Sequence, residues 1–579
     1  MKNKIKTCFW VICICLTGSF MSCQDMLETN SNSYLNTKDN HLNSPNDSLY
    51  SVVGILKQLQ QLGDRYVVLG ELRGDLMAVT GNADMDLLAI AGFTATADNP
   101  YLSTREYYSV INNCNYFIQH ADTSIISGGK KVLKSEYLAV KAIRAWTYMQ
   151  LVLNYGKAVY FTEPILTIDD MNRDYPVMPP QQLFETLLSD ISDFTDDSLY
   201  PAYGGELYPA YFISGEMMAG DMLLWMGAYT GDRSYYEKAA NIYYSYIKNN
   251  RYCRGGGIFR NTYLNSDFDA FQLLQWSRIL LTSEEMISLI NNSVIPLETL
   301  NWPQIMTLTY AQGTGFDYKV KPSQAAIDMW NNETYVHYNS ITENLFYTKG
   351  DLRGNCRSGS SSTSRPYGSY YYAAEGDSLP TIAKYGWQIN NDVTARPYIS
   401  LYRTGKLYLR YAEALNGLGK PSLAFAVLKY GLNNESLGDP KKINPDEITP
   451  MPSYCNFTDS RFGSLGEQAQ TGIHTRGSGY AGQDTLYYSF TEETLLVNSN
   501  YYGFPSTLAT QQDSIQFVDA MICKELGLET AFEGNRFHDL MRFSIRRNDD
   551  GFLAKWVGRK DPALTGTLMN RDKWYFPKQ

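Results

Sequence analysis

The chain has 579 residues and a formal net charge of −10, from 50 basic and 60 acidic side chains. That balance argues against a nucleic-acid binder, which needs a basic face to displace counterions. With 44% hydrophobic and 19% charged residues, wholesale disorder is excluded and a sizeable core can be buried. Tyrosine is abundant, at 46 residues beside 24 Phe and 9 Trp. Tyr and Trp join a flat apolar face to a polar edge, which suits wet interfaces and sugar rings, while the majority are expected to pack helices.

Lys2, Lys4 and Lys6 precede an apolar run from Thr7 to Phe20. This is the pattern of a secretory signal peptide, too short for a spanning helix of about 20 residues. It ends Phe20-Met21-Ser22-Cys23, with Asp25 and Glu28 following. A small residue before a cysteine resembles the lipobox of bacterial lipoproteins, and the acidic stretch resembles the surface-export signal of Bacteroidetes lipoproteins. The resemblance implies an acylated Cys23 and stable membrane attachment through lipid chains; the alternative is an ordinary signal peptide with a chance cysteine. Residues 1–22 are read as the leader and 23–47, polar and rich in Asn and Ser, as a lipidated tether. Without the leader the chain keeps 47 basic and 60 acidic residues, a charge of −13. Cys114, Cys253, Cys356, Cys455 and Cys523 are scattered, odd in number and without CxxC spacing, so they are expected to be mostly buried thiols.

Residues 48–579 read as one body. Leu138, Ala142, Ala145, Met149 and Val152 recur at helical spacing, with Lys141 and Arg144 elsewhere on the turn, which predicts an amphipathic helix over 136–153. A pair over 215–250 is split by Thr230-Gly231-Asp232. Leu407, Tyr411, Ala414 and Leu418 predict another helix, broken by Gly419-Lys420-Pro421 before Ala424, Val427 and Leu428. Residues 513–533 and 535–546 form a last pair joined at Gly534. The reading is mainly α: about four helix pairs resembling tetratricopeptide repeats, in a scaffold of 48–250, 400–434 and 513–546. Loop-rich insertions at 251–320, 335–398 and 435–510 are expected to carry the binding face.

Several blocks then point to a family. Leu69-Gly70-Glu71-Leu72-Arg73-Gly74-Asp75 comes early. Ile111-Asn112-Asn113-Cys114-Asn115 and Arg144-Ala145-Trp146-Thr147-Tyr148 through Asn154-Tyr155-Gly156 fall in the first helix pair. Tyr408 to Asn416 falls in the third, and Glu529 to Arg542 closes the set. Together they resemble the SusD/RagB family of outer-membrane nutrient-binding lipoproteins, over essentially Cys23 to Gln579. The resemblance implies a non-enzymatic protein on the cell surface. It would capture oligosaccharide or polysaccharide (peptides in some branches) for a TonB-dependent SusC-like outer-membrane transporter.

Motifs for other chemistry are weak. Glu533, Arg536, Asp539 and Arg542 lie three apart on one predicted helix, and the simplest reading is a surface ion-pair ladder. Gly477-Ser478-Gly479-Tyr480-Ala481-Gly482 has the letters of a dinucleotide fingerprint without a preceding strand or following helix, and reads as a flexible turn. His41, His120, His337, His474 and His538 form no metal motif, and His538 is expected to be packed or capping. No catalytic residue, metal ligand or cofactor is assigned. A glycoside hydrolase with two opposed carboxylates stays open as a rival, as does a scaffold that binds only protein.

Aromatic platforms remain. Trp146, Trp225 and Trp330 fall on helical patterns and are assigned to the core. Trp302, in Asn301-Trp302-Pro303, is the leading candidate for stacking on a sugar ring, against the alternative that it packs under its loop. Tyr310, Phe316 and Tyr318 follow it, Tyr101 follows Asp98-Asn99-Pro100, and Tyr372 ends a run of three tyrosines; these complete the ligand-binding candidates.

Overall fold

The computed structural model describes residues 42, 45–127, 130–131, 133–191, 209–250, 253, 286–292, 304–309, 317–339, 344–351, 353–354, 369–372, 379–389, 392–395, 398–457, 472–478 and 508–577. The longer helices are α1 (Pro45–Glu71), α2 (Arg105–His120), α3 (Lys134–Tyr155), α4 (Pro180–Asp190), α5 (Gly215–Thr230), α6 (Arg233–Asn249), α7 (Thr404–Gly417), α8 (Pro421–Lys429), α9 (Gln511–Thr530), α10 (Arg536–Arg547) and α11 (Asp550–Gly558). The architecture is mainly α. Three pairs lie where the sequence pattern placed them, α5 on α6, α7 on α8, and α9 on α10; α3 answers the predicted helix over 136–153 and packs on α2, which holds the block Ile111–Asn115 that the resemblance put in the first pair.

Local chemistry sets the breaks. Gly231 ends α5 in the left-handed region at φ 70°, and Asp232 starts α6 by accepting from the Ser234 N–H at 2.9 Å. Gly419, at φ 82°, precedes Pro421 at the first turn of α8. A reciprocal cap between Thr510 and Asp513 opens α9.

Two predicted helices are less amphipathic than their spacing implied. α7 is buried from Thr404 to Asn416, with α6, α8 and α9 around it. α3 is buried almost throughout, and Arg144 points inward to Asn115 Oδ1 at 2.7 Å and Asp190 at 2.6 Å. Trp146, Trp225 and Trp330 are core residues, each 1% exposed. Cys114, Cys253, Cys455 and Cys523 are buried and in no disulfide, and Cys356 lies outside the described residues.

The described parts of the insertions are not plain loops. Those of 435–510 are short helices, and those of the first two insertions are mostly two-stranded antiparallel ribbons, which β1 of the scaffold joins: β1 (Met77–Val79), β2 (Met286–Asn291), β3 (Val320–Pro322), β4 (Thr334–Asn339), β5 (Asn344–Lys349), β6 (Tyr370–Tyr372), β7 (Pro380–Ile382), β8 (Gly386–Ile389), β9 (Asp392–Ala395) and β10 (Tyr398–Arg403). The pairs are β1–β3, β2–β10, β4–β5, β6–β7 and β8–β9. The first two of the dinucleotide-like letters, Gly477 and Ser478, end a helical turn instead of lying in a flexible one. Ile473 and His474 donate N–H groups to Val427 and Leu428, Thr475–Ser478 is a helical turn, and Gly477 packs where a Cβ would strike Asp351. Residues 479–482 lie outside the described residues.

Two of the sequence blocks that carried the resemblance, Leu69–Asp75 and Glu529–Arg542, meet in a buried seam, which Asn154 of a third block joins. The Glu71 carboxylate accepts from the backbone N–H groups of Phe532 (3.0 Å), Gly534 (2.8 Å), Asn535 (3.1 Å) and Arg536 (3.2 Å). It thereby fixes the turn into α10. Burial pushes its carboxyl up to about 7, against the opposing pull of those donors and of Arg536. Asp75 holds Arg536 through two oxygens at 2.6 and 3.0 Å. Arg73 donates to Trp574 O and Asn154 Oδ1, and its guanidinium lies 4.3 and 4.2 Å from the Phe537 and Phe576 ring centres. His538 is packed at this seam, 3.2 Å from Arg73, and burial holds its imidazole well below the usual range.

The surface-ladder expectation for Glu533, Arg536, Asp539 and Arg542 is corrected. All four are buried, and Glu533 precedes α10 instead of lying on it. Only Asp539 and Arg542 pair at i,i+3; the main partners come from other elements. Arg542 grips Glu413 at 2.7 Å through both oxygens, Asp539 meets Arg410 at 2.6 Å, and Glu533 meets Arg403 at 2.8 Å. Equal spacing of charges on a helix does not reveal which side the rest of the chain covers.

Candidate ligand-binding face

One turn of α1 organises two loops that carry predicted aromatics. Asp64 accepts from the N–H groups of Gln304 (3.0 Å) and Ile305 (2.8 Å), and so caps the short helix Gln304–Thr309. Burial raises its carboxyl above the usual range, with those two N–H groups pulling the other way. That helix begins two residues after Trp302 in sequence. The next residue, Arg65, donates to Ser103 O at 2.7 Å and to Glu106 at 2.6 Å, which fixes the chain just past Tyr101.

Tyr101 sits in the turn Pro100–Leu102. Asn99 caps this turn by accepting from the Tyr101 N–H at 3.0 Å, and its amide donates to Asp86 O at 3.0 Å. The ring is half-buried. Burial, then the carboxylates of Asp84, Asp64, Asp86 and Asp317, push its hydroxyl up to about 12. The phenol therefore stays protonated at neutral pH, an apolar face with a hydrogen-bond donor at its edge.

The β1–β3 ribbon adjoins this turn. Thr80 N–H donates to Lys319 O at 2.9 Å, and Asn82 donates to Asp317 O at 3.2 Å. Lys319 bridges Asp84 at 3.0 Å and Asp317 at 3.6 Å. Burial opposes ionisation of Asp84, but the Leu87 N–H and the Lys319 ammonium outweigh it and hold the carboxyl low.

Tyr318 does not present a ring face. It is 8% exposed, lies in the left-handed region at φ 45°, and donates its hydroxyl to Pro380 O at 2.9 Å. It is a strut, with its ring turned inward and its hydroxyl tied to the neighbouring ribbon. Pro380 is paired with Tyr372 in the β6–β7 ribbon, so the Tyr372 backbone reaches the same neighbourhood. Trp302, Tyr310, Phe316, the side chain of Tyr372 and the lipidation candidate Cys23 lie outside the described residues.

The structure thus links Tyr101, Tyr318 and the Tyr372 backbone through α1, β3 and β7. It adds Asp64, Asn99, Asp84 and Lys319, which no motif singled out. Asn99-Pro100 was the one available signal, a capping residue before a first-turn proline. Among the described residues, no group of three or more His, Cys, Asp or Glu is placed to hold a metal ion. The buried cluster of Asp221, Lys406, Arg410 and Asp539 lines a cavity of about 20 Å³, room for about one water and too small for a sugar.

No protein-family model and no curated protein matches the chain. Solved structures do match, and the architecture they share is that of the SusD superfamily. One SusD superfamily protein, from Bacteroides vulgatus, is 15% identical with a TM-score of 0.52, covering 92% of this chain and 91% of that one. Another, from Bacteroides thetaiotaomicron, is 16% identical with a TM-score of 0.52, covering 89% and 94%. A surface glycan-binding protein A from Bacteroides uniformis is 15% identical with a TM-score of 0.53, covering 92% and 96%. The chain therefore has the SusD-superfamily fold.

Proposed function

We propose that the chain is a cell-surface lipoprotein of the SusD/RagB type. In this reading it binds oligosaccharide or polysaccharide without cleaving it and passes it to a TonB-dependent SusC-like channel in the outer membrane. The observation that carries the reading is the fold shared with a surface glycan-binding protein over 92% of this chain. The face around Tyr101 supplies suitable chemistry: a half-buried phenol on a rigid turn, with carboxylates and an ammonium beside it. A sugar ring offers C–H faces to the aromatic and hydroxyls to the charged groups. Each ring contributes modestly, so several contacts along a glycan are needed. No helix among the described residues is long and apolar enough to cross a membrane, which suits an anchor made by lipid on Cys23.

The test is a calorimetric titration of residues 24–579 and two variants with a glycan that the unaltered protein binds. Tyr101→Ala and Trp302→Ala should each weaken binding by roughly 1–3 kcal/mol, as expected for loss of a stacked ring at a hot spot. Unchanged affinity in both well-folded variants would place the site elsewhere.

A further inference from the structure

The β6–β7 ribbon has three residues in each strand, and an isolated pair that short does not hold itself in water. Its place is set from outside, at both strands. Before β6, the Ser369 N–H donates to the carbonyls of Arg353 (2.8 Å) and Gly354 (2.9 Å). The Arg353 guanidinium reaches Glu525 at 2.6 Å and Glu529 at 3.1 Å on α9, and both oxygens of Asp351. After β7, Lys384 donates to the Glu533 carboxylate and to Glu529 O at 3.2 Å, and Tyr385 donates its hydroxyl to Phe532 O. The end of α9 and the turn after it thus root both strands.

The ribbon also meets the candidate face. β7 lies against β3, and the Pro380 carbonyl of β7 accepts from the Tyr318 hydroxyl at 2.9 Å. Tyr318 stands between Asp317 and Lys319, and Lys319 bridges to Asp84 beside the Tyr101 turn. A continuous path therefore runs from α9 through Lys384, β7 and Tyr318 to the charged groups around Tyr101.

Lys384 is the informative member of that path. It is 6% exposed, and burial pulls its ammonium down to about 8 against the attraction of Glu533. Its acceptors do not depend on it. Arg403 donates to the two oxygens of Glu533 at 2.8 and 3.0 Å, and to Glu529 O at 2.5 Å. A neutral side chain at this position would avoid the desolvation cost of a buried ammonium and strand no carboxylate. A buried ion pair is a poor source of stability, and its best-attested use is to fix register. What Lys384 adds is the position of the strand it follows.

We propose that Lys384 is a positioning residue for ligand binding, on the reading that the Tyr101 face takes glycan: it seats the β6–β7 ribbon on the end of α9, and the ribbon holds the Tyr318 strut in place. The test uses the full chain purified in detergent. The probe is whichever of amylopectin, xyloglucan, arabinan, galactan, polygalacturonate and mucin glycans the unaltered chain binds tightest. Lys384→Met and Tyr318→Phe should each weaken that binding about tenfold, the loss expected if the face is assembled about a tenth of the time. Both act through one ribbon, so the double variant should lose about as much as either alone, not about a hundredfold. Leu187→Ala, in the buried core of α4, should lower the urea midpoint and leave affinity unchanged. In Lys384→Met, amide exchange at residues 370–372 and 380–382 should speed up, and saturating glycan should slow it again, because coupling between two sites is reciprocal. Tyr318→Phe removes one hydroxyl and no charge, and it reads the same path if Lys384→Met does not fold. Unchanged affinity in the two single variants, losses that multiply in the double variant, or ribbon exchange that ignores glycan would overturn the proposal. So would an equal loss of affinity in Leu187→Ala, which would reduce Lys384 to a stability role. If the unaltered chain binds no member of the panel, the glycan reading fails and this role fails with it; binding that is indifferent to Lys384 and Tyr318 sinks this role alone.

Discussion

Three glycines of α1 offer a test of how tightly the first and last sequence blocks are pressed together. At Gly54, a Cβ would meet nothing within 4 Å. At Gly70, it would lie 1.9 Å from Gly534 O and 2.5 Å from Gly534 C, both backbone atoms. Gly63 is intermediate, meeting the flexible end of Ile399 at 2.7 Å. Helix propensity favours Ala over Gly by about 0.5–1 kcal/mol at each position. Gly54→Ala should therefore stabilise by about that amount. At Gly70 the opposing effect wins. Overpacking costs roughly 1–3 kcal/mol. The turn at 532–536 cannot retreat without stretching the N–H bonds to Glu71, where a hydrogen bond to a charged group is worth about 1.5–3 kcal/mol. The net expectation for Gly70→Ala is a loss of roughly 2–4 kcal/mol. Urea midpoints followed by circular dichroism would show the two variants moving in opposite directions. Equal midpoints for Gly54→Ala and Gly70→Ala would refute the close approach of α1 to the closing turn.

Arg542→Ala should cost roughly 3–5 kcal/mol, because it takes from the buried Glu413 the guanidinium that grips both its oxygens, while Asp539 keeps Arg410; a surface ladder would lose only about 0.2–0.5 kcal/mol, and a midpoint shift that small would restore the ladder reading. Glu525 supplies a pH signature. Burial raises its carboxyl, but Arg353 and His474 outweigh that and hold it at about 2. A carboxyl depressed in the folded state contributes stability above the ordinary value of about 4.3, and that contribution is lost as pH falls toward 2. Urea midpoints should fall more steeply between pH 5 and about pH 3 for the unaltered protein than for Glu525→Gln. Parallel slopes would mean that Glu525 is not held in this way.

Much of the scaffold was legible because helix pairs announce themselves through period and punctuation. Thr230-Gly231-Asp232 and Gly419-Lys420-Pro421 mark their breaks without reference to anything distant. The ion pairs were not legible, because Arg542 and Glu413 are 129 residues apart and no local pattern joins them. The ribbons escaped notice for a related reason. A three-residue strand such as Tyr370–Tyr372 carries too little periodicity to stand out, and its register is set by Pro380–Ile382 across an insertion. The candidate face was legible only as a set of aromatic loops. Aromatic loops pointed to Tyr101, but nothing in Phe316-Asp317-Tyr318 says that Tyr318 turns inward to the Pro380 carbonyl. The carboxylate that caps the segment after Trp302 comes from Asp64, some 240 residues earlier.

The central claim is that the protein catches glycan without altering it. Calorimetric titration of residues 24–579 against a panel of polysaccharides, followed by chromatography of each mixture, tests it most directly. The account predicts saturable heat with at least one glycan and an unchanged glycan afterwards. Silence across the whole panel, or shortened products accumulating at catalytic rates, would contradict it.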